Sequence, residues 1–201
     1  MKVLYWARKA RLAAGLLLVT ALTGCANFYV DSSTKEIPVA QYRKPVQPHP
    51  VQVLFEFQTK GVANAQATNM LKARVVEQVK ASGLFTAVGD APAGGATLSI
   101  TLENVPLSDD AFSKGFVTGL TFGLAGSKVS DGYICTATYR SGDDAQPIVK
   151  KARHAIHTTL GAASQPGNAE KADGIEDAVT KMTRQIVSNV LHDVTQDPTF
   201  K

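Results

Sequence analysis

The sequence predicts an α+β protein: a two-layer sandwich in which one mixed, mostly antiparallel sheet of about five strands carries two helices on one face. Three observations predict it. Several short segments alternate apolar and polar residues, which marks half-buried strands. Two longer segments repeat apolar residues at helical spacing. The order is β-α-β-β-(long loop)-β-β-α, and every strand has one apolar and one polar face, so the helices have one side of the sheet to cover.

The elements follow in order. In 51–58, Val51, Val53, Phe55 and Phe57 point one way, Gln52, Glu56 and Gln58 the other, and Leu54 breaks the pattern. In 63–82, Ala67, Leu71, Val75 and Val79 recur every four residues with Val76 beside them, and Gly83 is placed to end the helix. Leu84 to Val88 reads as a short apolar strand, and 89–95 as a turn. Leu98, Ile100 and Leu102 alternate with Ser99, Thr101 and Glu103. Tyr133, Cys135, Ala137 and Tyr139 share one face of a strand over 133–140, with Thr136, Thr138 and Arg140 on the other. Residues 141–144 make a turn, and 148–158 return as an antiparallel partner. Residues 161–172 read as a polar loop. The last helix, 174–194, carries Ile175, Val179, Met182, Ile186, Val190 and Val194 on one stripe, with Asp173 and Glu176 spaced as a capping box.

The amino terminus has its own logic. Lys2 to Arg11 is basic, Leu12 to Leu22 is apolar, and Leu22-Thr23-Gly24-Cys25 follows. The apolar run falls far short of the roughly 20 residues a helix needs to cross a bilayer, so a secretory signal is the better reading. Of 21 basic and 17 acidic residues in the chain, the first 24 positions hold four basic and no acidic ones, so the remainder carries 17 of each. A neutral remainder argues against a phosphate-tracking nucleic-acid binder.

Leu22, Thr23, Gly24 and Cys25 resemble the lipobox of bacterial lipoproteins. The resemblance implies diacylglyceryl transfer to the Cys25 thiol, cleavage between Gly24 and Cys25, and acylation of the new amino group. Two or three acyl chains then hold the protein on a membrane, at about 0.8 kcal/mol per buried methylene. An ordinary secretory signal with a chance cysteine is the competing reading. Ala26 resembles the outer-membrane-directed class, because in enterobacterial lipoproteins an Asp at that position favours the inner membrane. The implied location is the periplasmic face of the outer membrane. With lipid on Cys25, the second cysteine, Cys135, has no intrachain partner and reads as a small buried hydrophobe. Residues 25–50 read as the lipidated cysteine and a Pro-rich tether (Pro38, Pro45, Pro48, Pro50) of on the order of 80 Å reach, leaving 51–201 as one domain. The element order behind such a tether is similar to a loose group of envelope lipoprotein domains. That group includes the auxiliary lipoproteins of ABC-type transport systems, the curli-secretion channel lipoprotein and the amino-terminal domain of TolB.

The most unusual stretch is 115–126, where Gly115, Gly119 and Gly123 recur every four residues beside Phe116, Leu120, Phe122 and Leu124. Three readings stay open. It is a buried connection, a protomer–protomer contact, or a loop that meets a membrane or lipid, with Phe116, Leu120, Phe122 and Leu124 as the contact residues.

Chemistry is sparse. His154 and His157 fall on opposite faces of a strand and cannot chelate one ion. His49 and His192 have no ligand neighbours. Ser32 and Lys35 match Ser-x-x-Lys, but no Lys-Thr-Gly supports it. Asp109-Asp110 and Asp143-Asp144 are acidic pairs that suit solvated turns. The expectation is therefore a lipid-anchored, non-catalytic interaction or assembly module, with no metal and no cofactor. Its partner would be another envelope protein or a second copy. The polar sheet face (Gln52, Glu56, Ser99, Thr101, Thr136, Thr138, Arg140) and 115–126 are the candidate surfaces. An auxiliary lipoprotein of lipid or ABC-type transport or secretion is the alternative, and a hydrolase the second alternative.

Overall fold

The computed structural model describes residues 26–90, 96–106, 128–142, 145–161 and 163–200. The elements are β1 (Ala26–Asp31), β2 (Val51–Thr59), β3 (Val62–Ala63), α1 (Ala65–Ala81), β4 (Val88–Gly89), β5 (Thr97–Pro106), β6 (Lys128–Arg140), β7 (Ile148–Leu160), β8 (Ala169–Ala172) and α2 (Ile175–Gln196). They form one eight-stranded sheet in the order β3-β2-β5-β6-β7-β1-β8, with β4 also pairing β2. The β2–β5 and β2–β4 pairs are parallel and the rest antiparallel. Both helices pack on the apolar face, as an α+β sandwich requires. The sheet exceeds the expected five strands by three: β3 is a two-residue pairing, and β1 and β8 come from stretches read as tether and loop.

The core follows the alternation. Val51, Val53, Phe55 and Phe57 of β2, Leu98, Ile100 and Leu102 of β5, and Tyr133, Cys135, Ala137 and Tyr139 of β6 are all buried beneath the helices. Burial pushes the Cys135 thiol up to about 12, so it is an inert hydrophobe. Helix α1 buries Leu71, Val75 and Val79 at i, i+4 spacing. Its cap is Asn64, whose side chain accepts from the Ala67 N–H at 3.0 Å. It ends where Gly83 takes φ +61°, the left-handed conformation open to glycine. Helix α2 buries Met182, Ile186, Val190 and Val194.

Three local expectations change. Leu84–Val88 is not a strand; Leu84 plugs the core and pairing is confined to Val88–Gly89. The start of α2 is not an Asp173–Glu176 box: Asp177 reaches back to accept the Asp173 N–H at 3.0 Å. Glu176 pairs instead with Arg74 of α1 at 3.0 Å.

The third change is the largest. Residues 26–50 are not a tether among the described residues. β1 lies between β7 and β8, with Ala26 paired to Leu160 and Val30 to Ile156 on one side and Asp31 to Ala169 on the other. Tyr29 and Val30 are buried, which stabilises the strand by about 1.5–3 kcal/mol per side chain. The following residues form a strap along α2. The Ile37 N–H donates to Ser188 Oγ at 2.9 Å, the Tyr42 hydroxyl to the Ser188 carbonyl at 3.0 Å, and Arg43 Nε to the Thr195 carbonyl at 2.6 Å. Pro38 is extended (φ −61°, ψ 140°) and opens a single 3-10 turn, Val39–Gln41, in which the Gln41 N–H donates to the Pro38 carbonyl at 2.9 Å and the Tyr42 N–H to the Val39 carbonyl at 3.0 Å.

Candidate functional site

The sheet face opposite the helices carries the polar half of each alternating strand. Register sorts it into rows across β2, β5, β6 and β7. One row is Leu54–Ser99–Thr138–Val149, the next Glu56–Thr101–Thr136–Lys151, and the next Gln58–Glu103–Ile134–Arg153. Gln52, Thr97 and Arg140 form the end row. All seven polar residues predicted for this surface therefore share one face. Leu54 and Val149 are 47% and 48% exposed, at opposite ends of one row. Charge is graded across the face. Glu56 and Glu103 stand on β2 and β5, while Arg140, Lys151 and Arg153 stand on β6 and β7. Cross-strand Ser and Thr side chains between them make the middle flat and neutral.

Towards β1 the same face becomes buried and its chemistry changes. Tyr29 and Ser130 flank His157 in register on the two sides of β7. Ser130 Oγ lies 2.8 Å from His157 Nδ1, and His157 Nε2 lies 3.3 Å from Asp31 Oδ2. Asp31 and His157 are only 4% and 5% exposed. Asp31 Oδ1 accepts from the Ser33 N–H at 2.7 Å and also from the Ser33 hydroxyl. Burial raises the Asp31 pKa, but the hydrogen bonds from His157 and Ser33 outweigh it and hold the carboxyl below its ordinary value. A carboxylate acceptor assigns the proton to His157 Nε2, which leaves Nδ1 to accept from Ser130. That is the polarity of a base-activated serine, with the two ring nitrogens exchanged relative to Ser-His-Asp hydrolases. The same bonds also fasten β1 to β6 and β7.

His154 sits on the other face of β7, as its odd offset from His157 requires. Its Nε2 meets Gln185 Oε1 of α2 at 2.7 Å, and its Nδ1 accepts the Ala155 N–H at 2.8 Å. Burial lowers its pKa, against the bond to Gln185, so the ring is neutral. Among the described residues no group of three or more His, Cys, Asp or Glu side chains is placed to hold a metal ion.

Register also fixes one end of the sheet. Ala26 pairs with Leu160, Lys128 with Thr159, and Pro106 with Asp131. Ala26, Pro106, Lys128 and Leu160 therefore lie at one end of the sheet. Leu22, Thr23, Gly24 and Cys25, with Phe116, Leu120, Phe122 and Leu124, lie outside the described residues, as do Asp109-Asp110 and Asp143-Asp144. No described helix is long and apolar enough to cross a membrane.

Sequence reasoning missed the Asp31–His157–Ser130 array. Its members are 126 and 27 positions apart, and Asp31 stood in the supposed tether. The short run of strand-forming residues Phe28, Tyr29 and Val30 ahead of Asp31 was the available signal.

No family model matches the chain, and no curated protein matches it. Among solved structures it is similar to the PelC dodecamer from Paraburkholderia phytofirmans, 12% identical over 84% of this chain and 99% of that one, with a TM-score of 0.34. It is also similar to a neuraminyllactose-binding hemagglutinin homolog from Helicobacter pylori, 11% identical over 81% of this chain and 89% of that one, TM-score 0.40. A third is the rare lipoprotein B from Shewanella oneidensis, 16% identical over 71% and 92%, TM-score 0.32. Lipoproteins are thus among the similar structures, and overlaps at this level transfer neither partner nor activity to this chain.

Proposed function

We propose that the chain is a lipid-anchored lipoprotein of the bacterial cell envelope, held at the periplasmic face of the outer membrane through Cys25, and that its domain is a non-catalytic interaction or assembly module. The observation that carries the reading is the open, charge-graded sheet face. A flat polar face with acidic residues on two strands and basic residues on the next two suits a partner of the opposite gradation. A second copy meets that condition. Rotation by 180° about an axis along the strands lays the Glu56 and Glu103 half over the Lys151 and Arg153 half, which is a self-complementary contact. The strand starting one residue after Cys25 supports a domain seated directly on the membrane rather than on a long lead. It turns the end that bears Ala26, Lys128 and Leu160 toward the lipid.

Two experiments test the reading. Cys25→Ser should release the protein from membranes on fractionation; a mutant that stays bound and processed as before removes the anchor. A photo-crosslinking residue at Thr136 in the full chain in cells should give a discrete adduct with itself or another envelope protein. Its absence at Thr136 and at Thr101 removes the docking face.

A hydrolase is the second reading, favoured by the Asp31–His157–Ser130 geometry. It predicts that a fluorophosphonate labels Ser130 and that Ser130→Ala abolishes labelling. The non-catalytic reading predicts no label, with the array acting to fasten β1.

A further inference from the structure

The apolar face of the sheet continues to the Ala26 end, and there it is left open. Val129 stands on the same face of β6 as Tyr133 and Cys135, and Leu160 on the same face of β7 as Ile156. Those neighbours are buried, whereas Val129 and Leu160 are 54% and 45% exposed. Register draws them together. Val129, Thr158, Phe28 and Ala172 form one row across β6, β7, β1 and β8, and Leu160 and Ala26 are the pair two residues further on. Helix α2 begins three residues after Ala172, with Ile175 50% exposed. Met182 and Ile186 of the same helical stripe are buried. Apolar residues scattered singly over a surface need no explanation; three gathered at one end, with the partly buried Phe28 in the same row, form a patch.

The chain beside the patch points to what covers it. Cys25 is joined to Ala26 by one peptide bond, so their Cα atoms lie about 3.8 Å apart. Ala26 is in turn paired with Leu160. Lipid carried by Cys25 therefore meets the domain next to Leu160, with no length of chain to hold a bilayer away. The charges here do not call for an anionic surface. Glu176 is paired with Arg74 at 3.0 Å, Asp177 with Lys181 at 3.1 Å, and Asp173 is exposed. Aliphatic side chains among acidic ones suit the acyl boundary of a zwitterionic bilayer, reached by burial rather than by attraction between charges.

We infer that Val129, Leu160 and Ile175 form a second, non-covalent membrane contact, entering the acyl boundary of the zwitterionic bilayer that takes the lipid on Cys25. This contact presupposes the lipid proposed above and adds a fixed orientation to it. With the Ala26 end in the interface, the strands stand upright on the membrane and the open sheet face looks sideways along it. A two-fold axis parallel to the strands then keeps both Ala26 ends on one bilayer, so two copies docked face to face are both anchored.

The test uses the full chain, expressed in cells and extracted from their membranes in detergent. Its intact mass is read for lipid on Cys25, and it is reconstituted into phosphatidylcholine vesicles whose brominated acyl chains quench a nearby tryptophan. The sole tryptophan, Trp6, lies ahead of Cys25 and leaves with the signal, so Leu160→Trp and Ile175→Trp each report one position. Both should be quenched about twofold or more against unbrominated vesicles. Val149→Trp, about 36 Å from Leu160 along β7, should not be quenched. Val129→Glu with Leu160→Glu, added to Ile175→Trp, should lower its quenching to the Val149→Trp level while the chain stays on the vesicles. A lipidated, vesicle-bound chain in which Leu160→Trp and Ile175→Trp are quenched no more than Val149→Trp overturns the contact and leaves the anchor standing. A blue-shifted but unquenched tryptophan does the same, because protein rather than lipid then covers the patch. A mass without lipid on Cys25 overturns the anchor, and this contact with it.

Discussion

The two faces of the sheet solve opposite problems with the same strands. On the helix-covered face the strands are mostly apolar and buried, and the histidine buried there, His154, is neutral and bonded to Gln185. On the other face Ser, Thr and charged side chains predominate, with Leu54, Ile134 and Val149 among them, and little is buried until β1 is reached. There the face closes over an ionic array, Asp31–His157–Ser130. The lesson is that stability resides on one face and at one end of the other, while the β2–β5–β6–β7 stretch of the open face contributes little to it.

Substitutions break or sharpen this contrast. The largest effect belongs to the covered face: Leu102→Ala should cost about 4 kcal/mol in urea unfolding, through lost burial and the cavity left behind. Asp31→Ala should follow at about 3 kcal/mol, because it strands His157 and the Ser33 donors in a buried setting. A loss below about 0.5 kcal/mol would mean that β1 is held by its backbone ladder rather than by the array.

Titration separates the faces next. The His154 pKa is lowered on folding, so between that folded value and about 6.5 the unfolded chain binds more protons. Stability from this site is complete above about 6.5 and falls as the pH drops below it. His154→Gln should flatten the melting-temperature profile between about pH 7 and pH 5. Asp31 acts lower down. Its carboxyl is held below its ordinary 3.8, so its contribution is complete above that value and is lost as the pH falls through the folded one. Asp31→Asn should therefore change the acid limb below about pH 4 and leave the neutral range parallel to the unaltered chain.

The smallest stability effect is on the open face. Thr101→Ala and Thr136→Ala should each shift unfolding by less than about 0.5 kcal/mol. Association is where this face should respond. Glu56→Lys or Lys151→Glu should each abolish self-crosslinking, and the double exchange should restore it; restoration is the sign of acid-on-base docking.

Much of this contrast could be read from the sequence, because alternation assigns each residue of β2, β5, β6 and β7 to a face without knowing the neighbours. The helices announced themselves through Leu71, Val75 and Val79, and through Met182, Ile186 and Val190. The gradation of charge could not be read, since it depends on β5 lying between β2 and β6. β8 was invisible for a different reason. Ala169-Glu170-Lys171-Ala172 has too little apolar content to mark a strand, and it exists as one only because β1 offers it an edge. The charged pair at its centre also suits an outermost strand. β1 itself was hidden between the Leu22-Thr23-Gly24-Cys25 segment and a run of prolines. Its status depends on partners more than a hundred residues further along the chain, which local pattern does not convey.

That distance sets a schedule. Residues 26–31 cannot take their place in the sheet until Leu160 and Ala172, made more than a hundred residues later, are available. Until then β1 is an unpaired strand whose backbone groups have no ladder on either side. Insertion of β1 between β7 and β8 therefore comes late, and the outer end of the sheet is the last part of the molecule to close.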